Sequence, residues 1–224
     1  MASNLRHRAR DAGWRVRAAG RTAAIAAFTA CLLLVGGASA AAPDNSLTFN
    51  GTSQYVRLGQ ADANPDKLNA STFTLEAWFN RTGTGATTST GTGGVTAAPL
   101  IAKGRAEADG TNQDANYFFG IDANSHLIAD YEEGVGQTSP GLNHPVTGSA
   151  TISNSVWHHA AATFDGTTWR LYLDGRLDTS LVVGANRAPR SDSIQDTAIG
   201  SALTSTAVAA GFFQGSTAAR RKRE

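Results

Sequence analysis

Cysteine is nearly absent from this chain of 224 residues, which contains one cysteine and six prolines. The single cysteine, Cys31, cannot form an intramolecular disulfide, and its isolation excludes zinc sites built from clustered cysteines. Long apolar segments are also missing, because the apolar run 23–35 is shorter than the roughly 20 residues that a membrane-spanning helix needs. With 41% hydrophobic and 17% charged residues, the composition is typical of a protein that folds around a hydrophobic core.

The first 42 residues have the pattern of a secretory signal peptide. Basic residues between Arg6 and Arg21 precede the apolar run 23–35, and the small-residue triplet 38–40 follows it. This order is that of an export signal, which is removed after its small residues. A membrane anchor is the alternative, but the apolar run is too short for one. We therefore predict a signal peptide over residues 1–42 and a secreted, extracellular mature protein without membrane insertion.

Positive charge is concentrated at the two ends of the chain. Residues 1–42 contain six arginines and one aspartate, and residues 220–224 contain four basic residues and one glutamate. The segment between them has nine basic and sixteen acidic residues, a net charge of −7. A protein that binds nucleic acid through its phosphates needs clustered lysine and arginine. The acidic body therefore predicts that nucleic acid is not a partner.

Short apolar runs with a period of two residues follow Ser46. In Phe73–Phe79 and in Trp169–Leu173 every second residue is apolar, which is typical of strands with one buried face. Turn dipeptides lie between or beside the runs: Asn50-Gly51, Asp109-Gly110, Asp165-Gly166 and Asp174-Gly175. Many short strands without an internal repeat indicate a single all-β sandwich domain.

The segment Thr82–Ala98 interrupts this pattern. It consists almost entirely of threonine, glycine, serine and alanine, with few side chains that could join a core. We expect a long mobile loop there between two strands.

Three motifs of the chain resemble one known family. They are SLTFNGTSQYV at residues 46–56, FTLEAWF at residues 73–79 and WHHAAATFDGTTWRLYLDG at residues 157–175. In this order and spacing they look like the laminin-G-like jelly roll of the concanavalin A-like lectin/glucanase superfamily, over residues 43–215. The resemblance implies a two-sheet antiparallel jelly-roll sandwich. It also implies a noncatalytic recognition module of the kind found in secreted or surface proteins.

The C-terminal end departs from the pattern of that family. After the segment 211–215 the family usually continues into a final strand, whereas this chain ends in STAARRKRE at residues 216–224. The four basic residues repel one another and show no apolar alternation. We therefore predict a sandwich that lacks its last strand, with a disordered basic tail over 216–224, as in the product of a truncated or frame-shifted reading frame.

The segment 107–116 is the richest source of oxygen ligands in the chain. Asp109, Asp114 and Asn116 could bind calcium, which takes six to eight oxygen ligands. Laminin-G-like domains often hold calcium at a rim of the sandwich, so the resemblance favours the same site. The alternative is an ordinary turn, because aspartate, asparagine and glycine are the residues from which turns are made.

A ligand platform is predicted around Tyr131. Its ring could stack on a sugar while Asp130 and Glu132 accept hydrogen bonds from the sugar hydroxyls. Trp78 beside Glu76 is a second candidate of the same kind. The alternatives are core packing for the rings and an exposed strand end for the acids.

The glutamate-X-aspartate-X-X-glutamate arrangement of the superfamily's glucanases is absent from the sequence. We therefore expect a secreted noncatalytic domain that recognises a glycan or a glycosylated or protein surface, so that its partner is a carbohydrate or a cell-surface or extracellular protein. The alternative is a structural accessory domain from a larger secreted enzyme or adhesin. The fold hosts many functions and does not choose between them.

Export makes a direct prediction for the N-terminus of the mature protein. Cleavage after Ala40 or Ala42 follows from the small residues that end the signal. Mass spectrometry of the secreted protein should give an N-terminus at Ala41 or Pro43. Recovery of the chain only in the cytoplasm, with Met1 intact, would contradict the signal peptide.

Overall fold

The computed structural model describes residues 45–59 and 68–218, so the predicted signal peptide, Cys31 and residues 219–224 lie outside the described residues. Within these ranges the chain forms strands and no helix. None of the described residues belongs to a helix that could cross a membrane. The fifteen strands are β1 (Leu47–Asn50), β2 (Val56–Gly59), β3 (Phe73–Arg81), β4 (Thr88–Ser89), β5 (Thr96–Lys103), β6 (Tyr117–Ile121), β7 (Leu127–Asp130), β8 (Val146–Thr147), β9 (Trp157–Phe164), β10 (Thr168–Leu173), β11 (Arg176–Val182), β12 (Thr197–Ile199), β13 (Ser201–Leu203), β14 (Ala209–Phe212) and β15 (Gln214–Ala218).

Two antiparallel sheets form the domain. The six-stranded sheet has the order β1-β15-β3-β9-β10-β11. The seven-stranded sheet has the order β2-β12-β5-β6-β7-β8, with β4 paired to β5. A separate hairpin joins β13 to β14. This architecture confirms the predicted all-β jelly-roll sandwich.

The core lies between the inner faces of the two sheets. Along β3, Leu75 and Phe79 are buried and Glu76 is exposed, as the period of two residues predicts. Trp169 is fully buried, and its ring centroid lies 5.4 Å from that of Phe73 on the same sheet and 5.6 Å from that of Tyr131, which follows β7 of the other sheet. Large aromatic side chains from both sheets therefore interlock at the centre and hold the sheets together.

The turn between β10 and β11 shows why the predicted dipeptides end strands. Asp174 and Gly175 both have positive φ, at 51° and 77°. A two-residue hairpin turn with two positive φ angles matches the twist of the flanking strands, and Asp-Gly is among the sequences that adopt it most easily. The predicted turn is confirmed here.

The expectation of a long mobile loop over 82–98 is wrong at its C-terminal half. Thr88 and Ser89 form β4, and β5 already begins at Thr96. Val95 and Ala97 are buried in a second apolar cluster with Phe118 and Ile128. Strands β4 and β5 pair with each other, so this half of the segment belongs to the seven-stranded sheet itself.

The prediction of a missing final strand is also wrong. Residues Gln214–Ala218 form β15, which lies between β1 and β3 and pairs with both. A Cβ atom at Gly215 would lie 2.1 Å from the carbonyl oxygen of Asn80, so glycine is required where β15 approaches β3. The sequence lacks clear apolar alternation here because glycine, serine and threonine satisfy this close contact, and the predicted disorder of 216–218 does not hold.

Backbone pairing of β15 should be essential for stability. In Ser216→Pro the backbone N–H is lost inside a sheet, so the free energy of unfolding should fall by about 2 kcal/mol or more. Ser216→Ala keeps the N–H and loses the exposed hydrogen bond to Thr48, so it should change stability by less than about 1 kcal/mol. Urea denaturation of both variants measures this difference. Equal stability of the two variants would contradict the central position of β15.

Candidate functional site

Three carboxylates converge beside the seven-stranded sheet. Asp109 and Asp114 come from the segment between β5 and β6, and Glu132 follows β7. One carboxylate oxygen from each lies within 4.8 Å of the other two. Asp114 and Glu132 are buried, whereas Asp109 is exposed, so the group is open to solvent on the Asp109 side. These three residues are called the acidic cluster.

The β6–β7 hairpin places Glu132 in this cluster. Its register continues past the strand ends, where the backbone N–H of Glu132 donates to the carbonyl oxygen of Ala115 at 3.0 Å. The N–H of Ala115 in turn donates to the carboxylate of Glu132. Glu132 therefore lies directly beside Asp114, although the two are distant in sequence.

Several buried oxygens at the site have no hydrogen-bond partner among the described residues. They are Oδ1 of Asp114, Oδ1 of Asp130 and Oδ1 of Asn143. The second oxygen of each aspartate is bound: Thr90 Oγ1 donates to Asp130 at 2.5 Å, and Arg190 Nη2 donates to Asp114 at 2.7 Å. Buried polar atoms are normally satisfied by protein or by water, so these oxygens could accept a further partner.

Two glycines lie close to the side-chain oxygens of the site. A Cβ atom at Gly91 would lie 3.4 Å from Glu132 Oε1 and 3.5 Å from Asp109 Oδ1. At Gly94 a Cβ atom would lie 2.7 Å from Asp130 Oδ2 and from Asn143 Oδ1. The backbone between β4 and β5 therefore passes close over the carboxylates. A side chain at Gly94 would collide with them.

Burial and mutual repulsion hold these carboxylates toward their neutral forms. Burial, followed by the charges of Asp114, Asp130 and Asp109, raises the pKa of Glu132 to about 9. Burial also raises the pKa of Asp130 to about 7, although Thr90 donates a hydrogen bond to it. A bound cation would stabilise the ionised carboxylates, so the site favours a cationic ligand.

These residues fit a calcium ion. Calcium prefers oxygen ligands. Asp109, Asp114 and Glu132 present carboxylate oxygens within 4.8 Å of one another, and oxygens of Asp130 and Asn143 lie nearby against Gly94. A bound ion would supply the positive charge that lowers the pKa of each carboxylate. The donors are all oxygens, and neither cysteine nor histidine is among them, so they suit a hard cation better than zinc.

The structure brings together two of the three predicted calcium ligands. Asp109 and Asp114 lie in the acidic cluster. Asn116 does not, because its side chain accepts a hydrogen bond from the N–H of Ala70 at 2.9 Å and donates one to the carbonyl oxygen of Ala70 at 2.8 Å. Glu132 takes its place, which sequence spacing alone does not reveal.

The predicted platform of Asp130, Tyr131 and Glu132 is divided between two faces. Tyr131 is fully buried, with its ring 4.9 Å from that of Phe164, and its hydroxyl donates to the carbonyl oxygen of Arg187. The expectation that its ring meets a sugar is therefore wrong, since the ring belongs to the core. Asp130 and Glu132 lie on the other face, where they are buried beneath the glycine-rich backbone.

Family comparison agrees with the fold. A sequence model of the concanavalin A-like lectin/glucanases superfamily, of the laminin-G type, matches residues 50–216. The chain belongs to this superfamily. The predicted family is thereby confirmed. Among proteins with curated descriptions, none matches the chain.

Solved structures of three other proteins resemble the domain. The CBM40 of the Ruminococcus gnavus IT-sialidase, bound to α2,6-sialyllactose, is 16% identical, with 77% of this chain and 87% of that chain covered and a TM-score of 0.52. The leech intramolecular trans-sialidase is 16% identical over 77% of this chain and 24% of that chain, with a TM-score of 0.51. Domains LG4-5 of the mouse laminin α1 chain are 14% identical over 77% and 38%, with a TM-score of 0.45. At these identities the likeness shows the fold alone.

Burial of Glu132, together with repulsion from neighbouring carboxylates, predicts how the stability of the calcium-free protein depends on pH. The folded state raises the pKa of Glu132 to about 9, above the value of about 4.3 in an unfolded chain. The folded state thus holds a proton that the unfolded state releases, so stability falls as the pH rises through this interval. Glu132→Gln cannot titrate, and its free energy of unfolding in chelator at pH 9 should exceed that of the parent by at least about 1 kcal/mol.

Glu107→Gln is the matched control for this measurement. Burial acts to raise the pKa of Glu107, but hydrogen bonds from Gln195 and Ser205 outweigh it and lower the pKa. Its ionised form is therefore favoured by folding, and the variant should be less stable than the parent at neutral pH. If Glu132→Gln also loses stability at pH 9, burial and repulsion do not raise the pKa of Glu132 as described.

Proposed function

We propose that the mature protein is a secreted, noncatalytic recognition domain that binds carbohydrate, with a calcium ion held by Asp109, Asp114 and Glu132. The observation that carries the proposal is the buried oxygen-rich site with an exposed edge at Asp109. Carboxylate oxygens of the acidic cluster would bind the ion on its buried side. Its remaining positions would face solvent, where hydroxyl or carboxylate oxygens of a sugar could complete the six to eight ligands.

Sialylated glycans are the first probes to use. The CBM40 neighbour carries sialyllactose on the same fold, at 16% identity. A sialic acid has both a carboxylate and neighbouring hydroxyls, which are the oxygen types that calcium accepts. This supports the choice of probe and leaves the sugar to be identified by experiment.

Hydrolysis is the rival function, since two carboxylates with raised pKa resemble the acid of a glycosidase. Burial argues against it, because Asp130 is 0% exposed and Glu132 is 1% exposed. A glycosidic oxygen could not reach either group beneath the backbone at Gly91 and Gly94. We therefore expect Asp130→Asn to leave any glycosidase activity of the preparation unchanged.

A glycan array tests recognition directly. The purified protein should bind a defined set of glycans in calcium, and chelator should abolish the binding. Asp109→Asn should weaken it at least tenfold, whereas Asp174→Asn, which neutralises an exposed carboxylate in the β10–β11 turn, should bind like the parent. If no glycan binds a sample that is shown to be folded, carbohydrate recognition fails and the accessory-domain alternative gains support.

Calcium binding has a separate readout in stability. An ion that binds only the folded state stabilises it by about 2.7 kcal/mol at a hundredfold excess over Kd. The melting temperature of metal-free protein should therefore rise with added calcium and return in chelator. Asp109→Asn should suppress this rise, because it removes one ligand and leaves an isosteric side chain. An unchanged melting temperature in the parent protein would refute the calcium site.

A further inference from the structure

Arg190 connects the two buried members of the acidic cluster. It lies in the connection between β11 and β12, whereas Asp114 precedes β6 and Glu132 follows β7. The backbone N–H of Arg190 donates to the carbonyl oxygen of Glu132 at 2.9 Å, and its Nη2 donates to Oδ2 of Asp114 at 2.7 Å. Three separate segments of the chain therefore meet at one residue, which is 2% exposed.

This contact distinguishes the two carboxylate oxygens of Asp114. Oδ2 accepts a hydrogen bond from the guanidinium, whereas Oδ1 is buried and has no hydrogen-bond partner among the described residues. Residues that lie behind a metal ligand commonly fix its orientation through the atom that does not bind the metal. Oδ1 is therefore the oxygen of Asp114 that remains available to a cation.

Electrostatic attraction does not explain an arginine at this position. The guanidinium and a bound cation would repel each other across the carboxylate of Asp114. A second carboxylate near the guanidinium is that of Asp192, whose Oδ1 lies 3.6 Å from Nη1 on a side chain that is 49% exposed. The charge of Arg190 therefore weakens the binding of a cation, whereas its hydrogen bond to Asp114 can strengthen it. These two effects have opposite signs, so an experiment can separate them.

We propose, on the basis of the calcium site proposed above, that Arg190 is a positioning residue: it holds Oδ2 of Asp114 so that Oδ1 alone binds the ion. Asp114 then supplies one oxygen and occupies one coordination position. A carboxylate that binds through both oxygens would occupy two. The arrangement thus leaves an additional position for a water molecule or a sugar hydroxyl. Arg190 acts through Asp114 and contacts neither the ion nor the sugar.

Arg190→Met tests this role, because it removes the charge and the donors and keeps a long, unbranched side chain. In calorimetric titration with calcium its Kd should be about ten- to a hundredfold higher than that of the parent, since an orienting residue behind a metal ligand is lost. Arg190→Lys keeps the charge and a donor for Oδ2. It should therefore bind calcium at least about fivefold more tightly than Arg190→Met.

Arg187→Met is the matched control. Arg187 lies in the same connection and donates to Glu133, a buried carboxylate outside the acidic cluster, at 3.0 Å. Both methionine variants leave a buried carboxylate without its arginine, so both should unfold at a lower temperature than the parent in chelator. Only Arg190→Met should lose calcium affinity, while the Kd of Arg187→Met should stay within about twofold of the parent value.

The calcium-bound structure of the parent gives a second test, which does not require either methionine variant to fold. Nη2 of Arg190 should remain bound to Oδ2 of Asp114, and Oδ1 alone should bind the ion. Coordination through both oxygens, or a guanidinium turned away from Asp114, would overturn the positioning role.

Three results of the titrations would also overturn it. The first is calcium binding by Arg190→Met that is as tight as in the parent or tighter, because charge would then outweigh orientation. The second is an equal loss of affinity in Arg190→Met and Arg187→Met, which would attribute the loss to reduced stability. In both cases the calcium site itself stands. The third is a parent protein that does not bind calcium, which overturns the calcium site as well.

Discussion

The site depends on negative charge that is held out of water. Asp114, Asp130 and Glu132 are buried together, and the cation paired with Asp114 is the guanidinium of Arg190, at 2.7 Å. A buried carboxylate without a compensating charge is costly, which is why the pKa of Glu132 rises to about 9 and that of Asp130 to about 7. The fold tolerates this cost in a region where three buried oxygens have no hydrogen-bond partner among residues 45–59 and 68–218. One bound divalent cation would offset the buried negative charge and would supply a partner for the oxygens.

The sandwich supplies the rigidity that this arrangement needs. Asp130 is the last residue of β7, and Glu132 follows it on the same face. Tyr131 lies on the opposite face, where its ring packs against Phe164 and Trp169. The core thus anchors the strand by one face and presents its acids by the other. Asp109 lies on an exposed segment, so the site combines a fixed buried half with an accessible half. Recognition sites commonly place a few polar groups on such a rigid frame.

Much of the fold could be predicted from sequence, because alternation along β3 and β10 and the Asp174-Gly175 turn are local signals. The missed strand β15 has no such signal, since its glycine, serine and threonine are selected by contact with β1 and β3. The site was predicted only in part, because local sequence patterns do not reveal tertiary contacts. Asp109 and Asp114 are neighbours in sequence, but the position of Glu132 beside them depends on the register of the β6–β7 hairpin. The pairing of Asn116 with Ala70 is a tertiary contact that no sequence pattern encodes.

A crystal structure determined in the presence of calcium tests the central claim most directly. The account predicts one ion bound by carboxylate oxygens of Asp109, Asp114 and Glu132 at about 2.3 to 2.6 Å, with at least one coordination position open to solvent. Anomalous scattering would identify the ion independently of its geometry. A structure at saturating calcium in which the acidic cluster holds only water, or in which the ion lies elsewhere, would contradict the account.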